Sequence, residues 1–229
     1  TFSGGTDAHG YPNPEGFWYS NTPEGYADMP GFRELNGEKH PDDLSEAKAL
    51  VDSAGLVEGI EVELTARGVL GYPDLAVQVK EQLKAAFGWD ITINIMESGA
   101  GFDYYWAGDT TMAVQSGGIF STGPDAIWAR LTRGTVPQWT GGGRGKCYTP
   151  CSAEGVCLDE LNDIQTRILD QAERKVVLEQ MSDIVTNYDA GAPYLFWANH
   201  HQVVNNKIQN YNMTLQASRW EHVWCDPAC

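Results

Sequence analysis

The chain has 229 residues, of which 42% are hydrophobic, and its 31 acidic against 15 basic side chains give a formal charge of −16. That apolar content excludes general disorder and is enough for one good core, or for one domain with extensions. The charge repels phosphate backbones and anionic membrane surfaces, so no nucleic-acid partner is expected. No apolar run approaches the roughly 20 residues that span a bilayer.

Residues 1–40 hold Pro12, Pro14, Pro23 and Pro30 among several glycines, with Phe17, Trp18, Tyr19 and Tyr26 between them. This composition predicts an ordered but irregular strap lying against a body. In HPDDLSEAKALVDSAGL a helix opens at Pro41 and its acidic neighbours, shows apolar residues at Leu44, Ala47, Leu50, Val51 and Ala54, and stops at Gly55. In GIEVELTAR, Ile60, Val62 and Leu64 alternate with Glu61, Glu63 and Thr65, the mark of a half-buried strand.

The same pair of elements comes again. PDLAVQVKEQLKAAF runs from Pro73 to Phe87 with Gly88 as its stop, and DITINIME alternates Ile91, Ile93 and Ile95. Helix, strand, helix, strand is the rhythm of an α/β layer with helices packed on a sheet. MAVQSGGIF reads as a third strand broken at Gly117 and Gly118, and GPDAIWARLTRG as a short helix from Pro124 to Gly134. The stretch 134–156 is a long glycine-rich loop of the kind kept for function or stapled by disulfides. Two further helices carry apolar stripes, Leu158, Leu161, Ile164, Ile168 and Leu169 in one and Val177, Met181, Ile184 and Tyr188 in the other. Gly191 and Pro193 end the second, and YLFWANHHQVV comes next as an aromatic, β-prone run.

The cysteines cluster locally, with Cys147, Cys151 and Cys157 in the loop and Cys225 and Cys229 at the end. Such clustering is what disulfides produce in an oxidising, extracytoplasmic compartment, and the spacing leaves the connectivity among the five open. A zinc site is the rival reading, but C-x3-C-x5-C lacks the paired knuckles of common structural sites.

From residue 40 to 210 the order of pieces resembles the C-terminal lobe of the family 5 extracellular solute-binding proteins. These are the peptide, nickel and oligosaccharide receptors of bacterial ABC importers. DLSEAKALVDSAGL and YPDLAVQVKEQLKAAFGWDITINI carry the first part of the likeness. The later part is more specific, through Asp159, Leu161, Asp170, Arg174, Leu178, Ile184, Ala192 and Pro193. The resemblance implies a periplasmic-binding-protein-like α/β lobe, a mixed sheet with flanking helices, belonging to a two-lobed periplasmic or extracellular receptor. That receptor closes on a peptide or similar polar solute and delivers it to an ABC permease, with no cofactor and no catalysis.

On this reading residues 1–40 are the strap from the hinge, 41–205 the C-terminal lobe, and 206–229 a return toward a first lobe that is absent from this chain. The family often places Gly-Trp after its central strand, where this chain has Gly118, Ile119, Phe120 and Ser121. The candidate ligand-binding residues are therefore Gly118, Phe120, Ser121, Trp128 and Trp139, the aromatic ones supplying an apolar wall. Trp18, Trp106 and Trp197 read as core or strap.

Other motifs carry less. TGGGRGKC lacks the glycine and the hydroxyl residue that a phosphate loop needs. Ser98 in MESGAG lacks the glycine flanks of a nucleophile elbow, so a secreted hydrolase ranks low. His200 and His201 are adjacent on a strand and point to opposite faces, which argues against shared metal ligation. Asp109, Asp125 and Glu97 are candidate receivers of a ligand amine, against a default of solvated carboxylates. The alternative from another class is a secreted interaction domain of the same fold, whose exposed face a partner chain covers.

Overall fold

The computed structural model describes residues 6–7, 13, 16–20, 27, 29–56, 58–107, 110–115, 123–128, 131–132, 151–188, 193–198, 203–211 and 220–226. In chain order these form β1 (Thr6–Asp7), β2 (Glu34–Leu35), β3 (Glu38–Lys39), α1 (Pro41–Ser53), β4 (Glu61–Arg67), α2 (Tyr72–Phe87), β5 (Asp90–Met96), α3 (Ser98–Ala107) and β6 (Met112–Val114). After them come α4 (Asp125–Trp128), α5 (Leu158–Gln165), α6 (Gln171–Asp183) with a π-helical turn at Ile184–Tyr188, β7 (Trp197–Ala198), β8 (Ile208–Gln209), a 3-10 turn at Trp220–His222 and β9 (Trp224–Cys225). The chain divides into two compact units. A sheet unit comprises Asn21–Ser116 and Thr140–Cys147, and a helical unit comprises Thr1–Ser20, Gly117–Trp139 and Tyr148–Cys229.

The sheet unit is the α/β layer that the alternating patterns predict. Its three strands lie in the order β5-β4-β6, all parallel, with Leu64 opposite both Ile93 and Met112. Parallel neighbours need a crossover, and α2 supplies it between β4 and β5. Pro73 sits in the first turn of α2 and Gly88 closes it. Leu64, Ala66, Ile91 and Val114 pack with Tyr72 and Ala76 into the core of this unit.

The half-buried reading of β4 holds only at its start. Glu61 is exposed, but Thr65 is fully buried and Arg67 is 7% exposed. The cause is α3, a helix that the pattern does not announce because SGAGFDYYWA combines two glycines with aromatics. It covers the second face of β4, and Tyr105 Oη donates toward the carbonyls of Thr65 at 3.4 Å and Val114 at 3.5 Å.

The strap is also more regular than its composition predicts. β2 and β3 pair antiparallel around Asn36-Gly37, both at positive φ, the dipeptide that a two-residue hairpin turn demands. Beside this hairpin Arg33 forms an ion pair with Asp43, which also accepts from the Gly31 N–H at 2.7 Å. Burial alone would raise the Asp43 pKa, but the Arg33 and Gly31 hydrogen bonds and the charges of Arg33 and Lys39 outweigh it and hold the carboxyl below its usual range. The expected apolar stripe of α1 stays largely open, with Leu44 and Leu50 exposed and Asp43 its buried residue.

The helical unit is built around Tyr19, Ile127, Trp128, Leu131, Leu158, Leu161, Leu178, Met181, Ile184 and Val185. Asp170 caps α6, its Oδ1 accepting from the backbone N–H groups of Ala172 at 2.9 Å and Glu173 at 3.0 Å. The stripes differ from expectation because α5 ends at Gln165. Leu158, Leu161 and Gln165 face inward, whereas Ile164 is half exposed and Leu169 projects into solvent. In α6 Leu178, Met181 and Ser182 are fully buried, as is Ile184 in the turn after it, so the expected stripe holds at Met181 and Ile184, whereas Tyr188 is half exposed.

A polar network joins the helices. Arg174 donates to Gln165 Oε1 at 2.8 Å and to Asp125 Oδ1 at 2.7 Å, and Gln165 Nε2 donates to Asp125 Oδ1 and Asn162 Oδ1, each at 3.0 Å. Cys151 and Cys157 form a disulfide just ahead of α5, and Cys225 is disulfide-bonded as well. Among the described residues of the β-prone run after Pro193, only Trp197 and Ala198 form a strand, β7, which pairs antiparallel with β1.

Two buried donors in this core, Tyr19 Oη and Trp128 Nε1, have no hydrogen-bond partner among the described residues. Burial first, and then the nearby charge of Asp125, push the Tyr19 phenol up to about 12. A tyrosine that holds its proton more tightly when folded loses its contribution to stability as pH rises from about 10 toward that value. Tyr19→Phe should therefore flatten the alkaline loss of stability between these limits and leave stability at neutral pH unchanged or raised, as read by urea denaturation at several pH values. Leu178→Ala, in contrast, should cost about 2–5 kcal/mol in the same assay at pH 7.

Candidate functional site

Open sheets of parallel strands bind ligands outside the carboxyl ends of the strands, where loops diverge. Here that edge is occupied by Arg67, the last residue of β4. Its Nε donates to Gln115 Oε1 at 3.2 Å, the residue just after β6, and its Nη1 donates to Ser98 Oγ at 2.8 Å, the first residue of α3 after β5. One side chain thus ties together the exits of both neighbouring strands.

The guanidinium lies over the Phe102 ring at 3.7 Å from its centroid and 5.3 Å from that of Tyr72. Stacking of this kind stabilises a cation without neutralising it. The stem crosses α3 at Gly101, where a Cβ would stand 2.7 Å from Arg67 Cγ. Gly101 is therefore required by the close approach of the arginine stem.

The surroundings are polar to an unusual degree for a central strand. Glu63 Oε1 accepts from Asn94 Nδ2 at 3.2 Å and from Thr65 Oγ1 at 3.3 Å, and Thr110 Oγ1 donates to Thr65 Oγ1 at 3.2 Å. Burial pushes the Tyr105 phenol up although the Arg67 charge opposes it, so the phenol stays protonated and donates. Immediately after Arg67 the chain turns through Leu70, which is 84% exposed and held at a φ of 53°. A non-glycine residue in the left-handed region costs roughly 1–2 kcal/mol, strain that concentrates at functional loops.

Of the residues that the sequence nominates for the ligand wall, Trp128 alone falls among those described, and it is fully buried in the helical core. Its place is in the scaffold, on no open wall, because α4 turns it inward beside Leu131 and Leu158. Gly118, Phe120, Ser121 and Trp139 lie outside the described residues, as do Asp109, His200 and His201. Glu97 is committed to capping α3, its Oε2 accepting from the Gly99 N–H at 2.7 Å and the Ala100 N–H at 3.1 Å. Asp125 is committed to Arg174. Ser98 serves Arg67. Sequence reasoning passed over Arg67 itself, although a cation closing an apolar-alternating strand in a strongly acidic chain is a legible signal.

No family model matches the sequence, and no curated protein matches it. Solved structures do. The chain is similar to the ABC transporter-associated periplasmic binding protein DppA from Helicobacter pylori in complex with the peptide STSA, at 20% identity and a TM-score of 0.62 over 96% of this chain and 39% of that one. It is similar to the oligopeptide-binding protein AppA from Bacillus subtilis in complex with a nonapeptide, at 20% identity and a TM-score of 0.69 over 97% of this chain and 43% of that one. OppA of Burkholderia pseudomallei matches at 19% identity and a TM-score of 0.60, over 80% of this chain and 34% of that one.

The fold is that of the family 5 solute-binding proteins. The chain spans about two fifths of the length of the DppA and AppA structures it matches. The DppA and AppA structures are of binding proteins solved with peptides bound. Within the solute-binding fold the edge beyond β4 is kept in place by the fit of α3 against Arg67. Gly101→Ala should disturb that fit, lowering stability by about 1–3 kcal/mol through overpacking. The check is thermal unfolding of the variant beside Gly99→Ala, whose added carbon meets only the Glu97 side chain.

Proposed function

We propose that the chain is the C-terminal lobe of an extracytoplasmic solute-binding protein that serves an ABC importer and takes a peptide, or a similar polar organic solute, in a cleft against a first lobe. The observation that carries this reading is the match of 96–97% of the chain to two binding proteins solved with peptides bound. Transport energy would come from the importer, so the lobe needs affinity and closure but no catalytic group. A disulfide at Cys151–Cys157 fits an oxidising compartment, and no described helix is long and apolar enough to cross a membrane.

We assign the ligand wall to Gly118, Phe120 and Ser121, in the segment after Gln115, and to Trp139, with Phe120 and Trp139 supplying its apolar surface. Support comes from the tie between Arg67 and Gln115, which anchors the start of that segment at the carboxyl edge of the sheet.

Purification of the full-length protein from its source, followed by acid release and mass spectrometry, tests the reading. Peptides or another polar solute should be released in roughly stoichiometric amount. A protein twice purified that releases nothing, and that captures nothing from a peptide mixture, would not be a receptor of this kind.

A further inference from the structure

The sheet unit leaves one long strand edge open. β5 pairs with β4 from Asp90 opposite Glu61 to Met96 opposite Arg67, with no bulge. The Asp90 N–H donates to the Ile60 carbonyl at 2.9 Å and the Met96 carbonyl accepts from the Gly68 N–H at 2.7 Å, so Asp90, Thr92, Asn94 and Met96 turn their main chain toward β4. Ile91, Ile93 and Ile95 therefore turn their N–H and C=O groups outward, and among the described residues none of these groups has a partner. Natural edges are blunted by proline, lysine, a bulge or shortness. β6, on the other side of β4, is short, pairing from Met112 to Val114 only. β5 is longer and carries neither proline nor charge from Ile91 to Met96. Thr92 is exposed, and Ile95 is 56% exposed.

We propose that β5 is a homodimerisation edge, whose partner is β5 of a second copy of the chain, paired antiparallel about a twofold axis at Ile93. The strand is its own complement in this register. Ile93 meets its counterpart and Ile91 of one copy meets Ile95 of the other, which are the residues whose main chain points outward, and such pairs exchange both N–H···O bonds. Side chains on each face then match, isoleucine against isoleucine on one and Thr92 against Asn94 on the other. A slip of one residue would set the outward groups against main chain already bonded to β4. Charge permits the same register: Asp90 falls opposite Met96 and Glu97 opposite Trp89, so no like charges are opposed. The neutral run between those acids offers no counter-charge to a basic segment, which favours a second copy as the occupant. A twofold contact of this kind uses the same patch on both copies and closes on itself. The formal charge of −16 on each copy opposes association, and salt screens that repulsion.

The test is analytical ultracentrifugation of the full-length protein across a concentration series at low and at high salt, with hydrogen exchange read on the same samples. The mass should double within the series, and the dimer should form at lower concentration in high salt, the reverse of a contact held by ion pairs. Exchange at the Ile91, Ile93 and Ile95 amides should slow as the dimer forms, whereas the Thr92 and Asn94 amides, already bonded to β4, should not change. Ile95→Lys, a substitution at an exposed position, should weaken the dimer about tenfold or more by setting a charge on the edge. The exchange measurement uses unsubstituted protein, so it reads the contact even if the variant folds poorly. A protein that stays monomeric at both salt concentrations overturns the proposal. So does a dimer in which exchange at Ile91, Ile93 and Ile95 is unchanged, since its copies would then meet elsewhere.

Discussion

The carboxyl edge of the parallel sheet depends on the placement of one buried cation. Arg67 ends the central strand, and from there it holds Gln115 beyond β6 and Ser98 at the head of α3. In a three-stranded parallel sheet the loops at this edge leave in different directions, and backbone hydrogen bonds stop where the strands do. A side chain that reaches both sides extends order past the last ladder bond. Gly101, Phe102 and Tyr72 are shaped around it, so the identity of several residues derives from that of one.

In the helical unit, by contrast, the arginine between the helices is paired, Arg174 with Asp125. Arg174, Asp125, Gln165 and Asn162 satisfy one another, and Gln165 is fully buried within that network. Buried polar groups that are all satisfied fix a register between helices, which apolar packing alone leaves loose. The motif residues of the later half divide along these lines. Asp170 caps α6, Arg174 binds α4 and α5 together, and Leu178 and Ile184 fill the core. Their role is architectural, which explains why the clearest likeness in the chain to a binding family gives little information about what is bound.

The alternating strands, the Pro-started and Gly-stopped helices and the parallel α/β order were legible in the chain, since each rests on local spacing. The hairpin at Asn36-Gly37 was legible too, but was masked by the surrounding prolines and glycines. Less legible were the elements whose burial is decided by distant neighbours. The run after Pro193 has the composition of a long strand, yet among its described residues only Trp197 and Ala198 find a strand partner, in β1. Trp128 looked like a ligand wall because it sits near breaks in the pattern, and it is instead enclosed in the core with residues of α5 and α6.

By itself the sequence determined the class of the protein: acidic, α/β, disulfide-bearing, with repeated helix–strand units in an order that solute-binding proteins share. It did so because period, capping and charge are properties of neighbours along the chain. Only the tertiary structure decided that the second face of β4 is covered, that α3 forms from a glycine- and aromatic-rich segment, and that Arg67 arrives at the carboxyl edge with no counter-ion among the described residues. Those outcomes depend on contacts spanning 31 to 48 residues of sequence, between Arg67 and Ser98 or Gln115, which no local pattern encodes.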